Sequence, residues 1–278
     1  MKPIVASVAA LTLLPLMAIA AEANLNGLKV HCESRGKGPR AIVFIHGWTC
    51  DHTFWRLNTP AVETTHRVLL VDLPGHGASD KPEVAYTMSL FARGVEAVMR
   101  KAGVRKAVLV GHSMGVPVIR QFLREFPNKV SGVVLVDGGI ARQPPDQTAM
   151  KQFIAQFRGP GALEFRTKTI NGMFVDATPQ ALREEILKKM LAAPEHVAVS
   201  AREGMADPAT YVLDKIDLPA LFVFARKPQT APDNEQFLRT VLLKMDYEPW
   251  DGAGHFLMME QPDRFAKVLT GFLTRHGL

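Results

Sequence analysis

Cysteine is scarce in this chain. Its 278 residues contain two, Cys32 and Cys50, which excludes a fold stapled by a disulfide framework. No spacing of Cys and His has the pattern of a metal site. Charge of one sign is not in large excess: 33 Lys and Arg against 27 Asp and Glu give a net +6. No basic stripe interleaved with aromatics accompanies it, so nucleic acid is not an expected partner, and only a mild attraction to an anionic surface or substrate follows. There is no internal repeat, and no low-complexity tract beyond the N-terminal segment. What is present, 47% apolar and 22% charged residues, is the balance of an ordinary soluble globular domain.

The longest uncharged apolar run stands at the start. Lys2 supplies a short positive beginning, and residues 4–20 carry no charge. Ala18-Ile19-Ala20 and Ala21-Glu22-Ala23 both fit the small-x-small pattern of a cleavage site, so residues 1–23 read as a leader, removed after Ala20 or Ala23. The run is short for a membrane span and is punctuated by Pro3 and Pro15. No stable membrane insertion is expected after its removal, and no cysteine sits at the cleavage site to take a lipid. The expected location is outside the cytoplasm, periplasmic or secreted. Taking 23 residues from 278 leaves 255, enough for one domain with a large core.

Along that remainder, residues 28–33 alternate as a strand, and Arg35-Gly36-Lys37-Gly38-Pro39 reads as a turn. Residues 41–45, 68–71, 107–110, 133–136 and 221–224 are short apolar runs rich in β-branched residues, the pattern of strands buried on both faces. Between them, residues 88–102 place Leu90, Phe91, Val95, Val98 and Met99 at helical spacing, with Gly103 as the stop. Strands alternating with helices predict an α/β fold, a mostly parallel sheet with helices on both faces. Functional groups are then expected at the carboxyl ends of the strands.

The stretch 138–217 is too long to be a structureless loop. It reads as an inserted helical cap with helices over 149–157, 179–191 and from Pro194 onward. Gly159-Pro160-Gly161 ends the first. Thr178 is the expected cap of the second, on which Glu184 and Glu185 are spaced to pair with Lys188 and Lys189. Phe153, Phe157, Phe165, Met173, Phe174 and Met190 are candidates for lining a pocket beneath the cap or for packing it onto the core.

The chemistry centres on Gly111-His112-Ser113-Met114-Gly115. An apolar strand runs into it and a helical segment, 116–126, runs out. Strand, sharp turn and helix lift the Ser113 hydroxyl above the sheet edge, and the Met114 amide, opening the helix, points at the same spot. The flanking glycines suit a turn with no room for a Cβ.

This pentapeptide resembles the nucleophile elbow of the α/β-hydrolase family. Further stretches resemble other family motifs: Ile42-Val43-Phe44-Ile45-His46-Gly47-Trp48 the third strand and oxyanion loop, Asp72-Leu73-Pro74-Gly75-His76-Gly77-Ala78-Ser79 the loop after the fourth strand, Gly252-Ala253-Gly254-His255-Phe256 the histidine loop, and Glu260-Gln261-Pro262-Asp263-Arg264-Phe265 the start of the last helix. The likeness runs from about Leu28 to the end. It implies a core of residues 24–137 and 218–278 with the cap, 138–217, inserted between. It also implies an early strand for Cys32 and a position past the oxyanion loop for Cys50, with a strand between them. That favours separate thiols and leaves their pairing open.

A serine hydroxyl needs a base to become a nucleophile. The resemblance gives that role to His255, while His46 resembles the family's structural histidine and His112 is expected to pack. The oxyanion donors implied are the amides of Trp48 and Met114. The acid is where this chain departs from the family. The usual Asp follows the seventh strand, and alignment puts Pro228 there. Asp137, at the end of the sixth strand, is the favoured replacement; Asp233 and a bare Ser–His dyad remain open. The expected activity is hydrolysis of small-molecule carboxylic esters through an acyl-enzyme, with no cofactor. Lactonase, thioesterase, C–C-bond hydrolase and perhydrolase chemistry share the scaffold. A ligand-sensing receptor with weak hydrolysis is the alternative of another class, because His46-Gly47-Trp48-Thr49-Cys50-Asp51 with Trp55 is similar to the loop of such receptors. Oligomeric state is not encoded legibly.

Overall fold

The computed structural model describes residues 19–278. Its strands are β1 (Ile19–Leu25), β2 (Leu28–Arg35), β3 (Arg40–Ile45), β4 (His66–Val71), β5 (Ala107–His112), β6 (Val130–Val136), β7 (Ile216–Ala225) and β8 (Leu242–Trp250). They form one sheet in the order β1-β2-β4-β3-β5-β6-β7-β8. β2 pairs antiparallel with β1 and β4, and all later pairings are parallel. The continuous apolar runs of β3, β5 and β6 are buried on both sides, as a covered parallel sheet requires.

Helices α1 (Met88–Lys101) and α2 (Gly115–Glu125) connect β4 to β5 and β5 to β6. Both connections advance across the sheet in one direction, so right-handed crossovers put both helices on one face. The step from β3 back to β4 runs the other way. Its loop, with a 3₁₀ turn at His52–Trp55, meets α9 (Pro262–Arg275) on the opposite face, where the Trp55 and Phe265 rings lie 6.1 Å apart. The reversal makes β3 and β5 neighbours, with Ile45 beside Gly111, and the loops leaving them part at the carboxyl edge. That is where a parallel sheet opens a crevice. The remaining core helices are α7 (Asn234–Val241) and the short α8 (Leu257–Glu260).

The cap holds α3 (Gln147–Ala155), α4 (Ala162–Asn171), α5 (Gln180–Leu191) and α6 (Glu195–Ala206). Helix α4 was not expected from its sequence. Its buried positions, Ala162, Arg166 and Ile170, are correctly spaced, but an arginine interrupts the apolar stripe. Arg166 donates to the carbonyls of Met190 and Ala193 (3.0 and 2.9 Å), so it closes the C-terminal end of α5.

Two further expectations need correction. Thr178 does not cap α5; its hydroxyl donates to Glu260 (3.0 Å) and accepts from the Val175 amide. Glu185 pairs with Arg56 (2.6 Å) and Lys189 reaches Asp51 (3.6 Å), so the charges on α5 bind the cap to the core instead of pairing within the helix. Most of the expected leader, residues 1–18, lies outside the described residues, but Ile19 to Ala23 belong to β1, and Ala23 is buried against the core. Cys32 and Cys50 are both buried and free.

Candidate active site

The crowding inferred at the elbow is real. A Cβ on Gly111 would stand 2.6 Å from the Gly115 carbonyl oxygen, and one on Gly115 would stand 2.7 Å from that of Ile45. Between them Ser113 takes a left-handed backbone, φ 53°, a costly conformation for a residue with a side chain. A hydrogen bond from its amide to the Val136 carbonyl, 2.9 Å, holds it there.

Ser113 and His255 line the same cavity, of about 250 Å³, at the carboxyl edge of the sheet beneath the cap. No hydrogen bond joins the Ser113 hydroxyl to the ring, a looseness common before substrate enters. Trp48 and Met173 line it as well. Among the described residues the amides of Trp48 and Met114 have no protein acceptor. Neither is committed to a protein partner, as the donors of an oxyanion hole must be.

Asp137 and His255 are brought together: Nδ1 of the ring lies 2.5 Å from Oδ2 of the carboxylate. Asp137 also has a left-handed backbone, φ 43°, and its amide donates to Val223 (2.8 Å). Its Oδ1 accepts from the amide of Ala225 (2.8 Å), at the end of β7. Burial alone would raise the pKa of Asp137, but the bond and charge of His255, with the Ala225 amide, outweigh it and hold the carboxyl below its usual value. Asp233 is not part of this arrangement. It is exposed and paired with Arg142 at 2.6 Å.

Two other histidines serve as struts. His112 donates from Nε2 to the carbonyl of His255 (2.8 Å). Burial, reinforced by the nearby His255 ring, pushes its pKa down to about 3, so it stays neutral. His46 donates from Nδ1 to the Gly47 carbonyl and accepts at Nε2 from the Leu73 amide, tying the loops after β3 and β4 together.

Of the six candidate pocket residues, Met173 and Met190 line the cavity. Phe153, Phe157 and Phe165 stack mainly on one another, and Phe174 packs on Phe256, so these four serve cap packing. Two functional contributors were missed. Glu260 accepts from the Gly254 amide (2.6 Å) and from Thr178, bracing the histidine loop against the cap. Arg202, on α6, lines the cavity. Neither has a local signal, because each meets a partner distant in sequence: Trp48 for Arg202 and Thr178 for Glu260.

His31, His52 and Asp72 form a ligand-type cluster whose atoms lie within 4.8 Å of one another. Asp72 is already engaged there, accepting from the His52 amide and Nδ1 (2.7 and 2.9 Å) and from the Ala78 amide (2.8 Å). Against the upward push of burial, these partners lower its pKa to about 2.

Comparison with known proteins agrees with this architecture. The model of the Alpha/beta hydrolase family matches residues 42–268. A 2-hydroxy-6-oxononadienedioate/2-hydroxy-6-oxononatrienedioate hydrolase from Burkholderia vietnamiensis is 30% identical over 266 residues, covering 89% of this chain and 92% of the relative. A solved thermophilic esterase from Thermogutta terrifontis superposes with a TM-score of 0.82 at 22% identity, covering 94% and 99% of the two chains. A solved N-acyl homoserine lactone degrading enzyme does so with 0.75 at 26% identity, covering 91% and 100%.

Proposed function

The chain belongs to the alpha/beta hydrolase family, and from that premise we propose that it is an exported serine hydrolase that cleaves carboxylic esters. The observation that carries the reading is the His255–Asp137 bond at the edge of the cavity that Ser113 also lines. With Nδ1–H committed to Asp137, Nε2 of His255 is free to accept the Ser113 proton. The hydroxyl oxygen attacks the ester carbonyl, and the amides of Trp48 and Met114 take the negative charge that develops on its oxygen. His255 returns the proton to the departing alcohol, and water, activated by the same ring, releases the acid. Asp137 offsets the imidazolium charge throughout.

Cleavage of a C–C bond is a second reading, favoured by the dienedioate hydrolase similar over most of the chain. It would use the same groups on a ketone carbonyl, with a stabilised carbanion as leaving group. Steady-state assays on short aryl esters and on a 2-hydroxy-6-oxo-dienoate separate the two. Ester hydrolysis is the expected main activity, sustained over many turnovers. A single slow turnover on both substrates would instead favour a receptor. The charged start, the apolar run and the two small-x-small sites support export.

A further inference from the structure

Arg202 is placed where a purely structural arginine gains little. It lies on α6 with its guanidinium 4.0 Å from the centre of the Trp48 ring, and 5.4 and 5.9 Å from those of Phe157 and Phe153. The Trp48 indole is itself fixed to α6, its Nε1 donating to the Ala198 carbonyl (2.8 Å), one turn before Arg202. Stacking uses the flat face of a guanidinium and leaves its donors, which lie in the plane, unfilled. The buried Nε of Arg202 has no hydrogen-bond partner, and among the described residues no carboxylate forms an ion pair with it. Burial lowers its pKa to about 10, so it is still a cation at neutral pH. The side chain as a whole is half-buried, and an unpaired cation partly withdrawn from water is costly unless something answers it.

The cavity supplies the place for that answer. Arg202 lines it together with Ser113, and Lys227 adds a second cation, while no Asp or Glu is among the lining residues. A volume of about 250 Å³ suits a short substrate. We propose that Arg202 is a specificity residue that binds a carboxylate on the substrate, so that the preferred ester is a short one bearing a free carboxylate at the end away from the scissile bond. The guanidinium fork takes the carboxylate, the Trp48 and aromatic faces hold the fork rigid, and Lys227 adds attraction at the mouth. The proposal rests on the ester-hydrolase reading for its substrate, but the anion site itself can be tested without turnover.

The binding test uses Ser113→Ala protein and calorimetry with glutarate and its neutral analogue glutaramide. Glutarate is expected to bind at least about tenfold tighter, as for a charge-assisted fork, and the difference is expected to vanish in the Ser113→Ala/Arg202→Gln double variant. The kinetic test compares kcat/KM for the 4-nitrophenyl monoester of glutaric acid with that for 4-nitrophenyl pentanoate. Arg202→Gln is expected to lower the acid-to-neutral ratio tenfold or more, and Arg202→Lys to lower it less. A structural role alone would depress both substrates equally and leave the ratio unchanged. Equal binding of glutarate and glutaramide by the Ser113→Ala protein overturns the proposal even if the Gln variants do not fold. If glutarate binds through Arg202 and no ester is turned over, the anion site stands and the ester-hydrolase reading fails.

Discussion

Replacing Asp137 by Asn tests the acid in a position the family does not usually use. The carboxylate has two oxygens with two different tasks: Oδ1 accepts from the Ala225 amide at 2.8 Å and Oδ2 faces Nδ1 of His255 at 2.5 Å. An amide has only one oxygen. If that oxygen stays on Ala225, the NH₂ group faces the ring, and Nδ1 must become an acceptor. The proton then sits on Nε2, which can no longer take one from Ser113. If the side chain turns over, its NH₂ meets the Ala225 N–H, donor against donor. Either way the productive tautomer is disfavoured. Losses of this kind reach about 10⁴ in kcat, so Asp137→Asn is expected to lower kcat by roughly 10²–10⁴, about 3–5 kcal/mol of barrier. The fold should be spared, because Asn tolerates the left-handed backbone of Asp137 and nearly keeps its volume. Steady-state kinetics on any ester that turns over, with a thermal melt beside it, makes the measurement. Near-full activity in Asp137→Asn, or a Tm collapse that accounts for the loss, would refute the argument.

The remaining expectations are smaller in scope. Asp233→Asn should change kcat less than about tenfold, since its partner is Arg142 on the surface; a loss as large as that of Asp137→Asn would move the acid to the loop after β7. Asp72 has its folded pKa depressed from 3.8 to about 2, so its stabilisation is present above pH 4 and is lost as pH falls toward 2. The shift corresponds to about 2 kcal/mol. Urea midpoints at pH 4.5 and pH 2.5 should show that loss in the wild type and a smaller one in Asp72→Asn; equal pH dependence in both would contradict it. Cleavage of the leader is expected after Ala20 and not after Ala23, because the later cut removes Ala21 to Ala23 from their pairing with Cys32 to Val30. An N-terminus at Asn24 on exported protein, read by mass spectrometry, would show otherwise.

Much of the site is local in sequence and was legible there. The elbow needs two close glycines around one serine, and a run of five residues records that need. Asp137 was legible by contrast: Pro228 occupies the usual acid position, and the sixth strand ends in a carboxylate that keeps the order Ser, acid, His, although Asp233 keeps that order too and only the fold sets it aside. The features that escaped depend on partners far along the chain. Arg202 interrupts no motif, and its meaning arises only when α6 is laid across Trp48, more than 150 residues earlier. Glu260 closes the short α8, and its bond to Thr178 forms only once the cap is seated. β1 was hidden by its composition, because alanines that satisfy a leader's cleavage pattern also satisfy a short edge strand.

Ser113 as nucleophile is the claim on which the functional account depends, and covalent labelling tests it most directly. A fluorophosphonate probe reacts with a serine only when a base and an oxyanion hole activate it. The wild-type protein should acquire one adduct, located by peptide mass spectrometry on Ser113, at a rate that falls in Asp137→Asn, while folded Ser113→Ala acquires none. An adduct on another residue, or undiminished labelling of Ser113→Ala, would contradict the account.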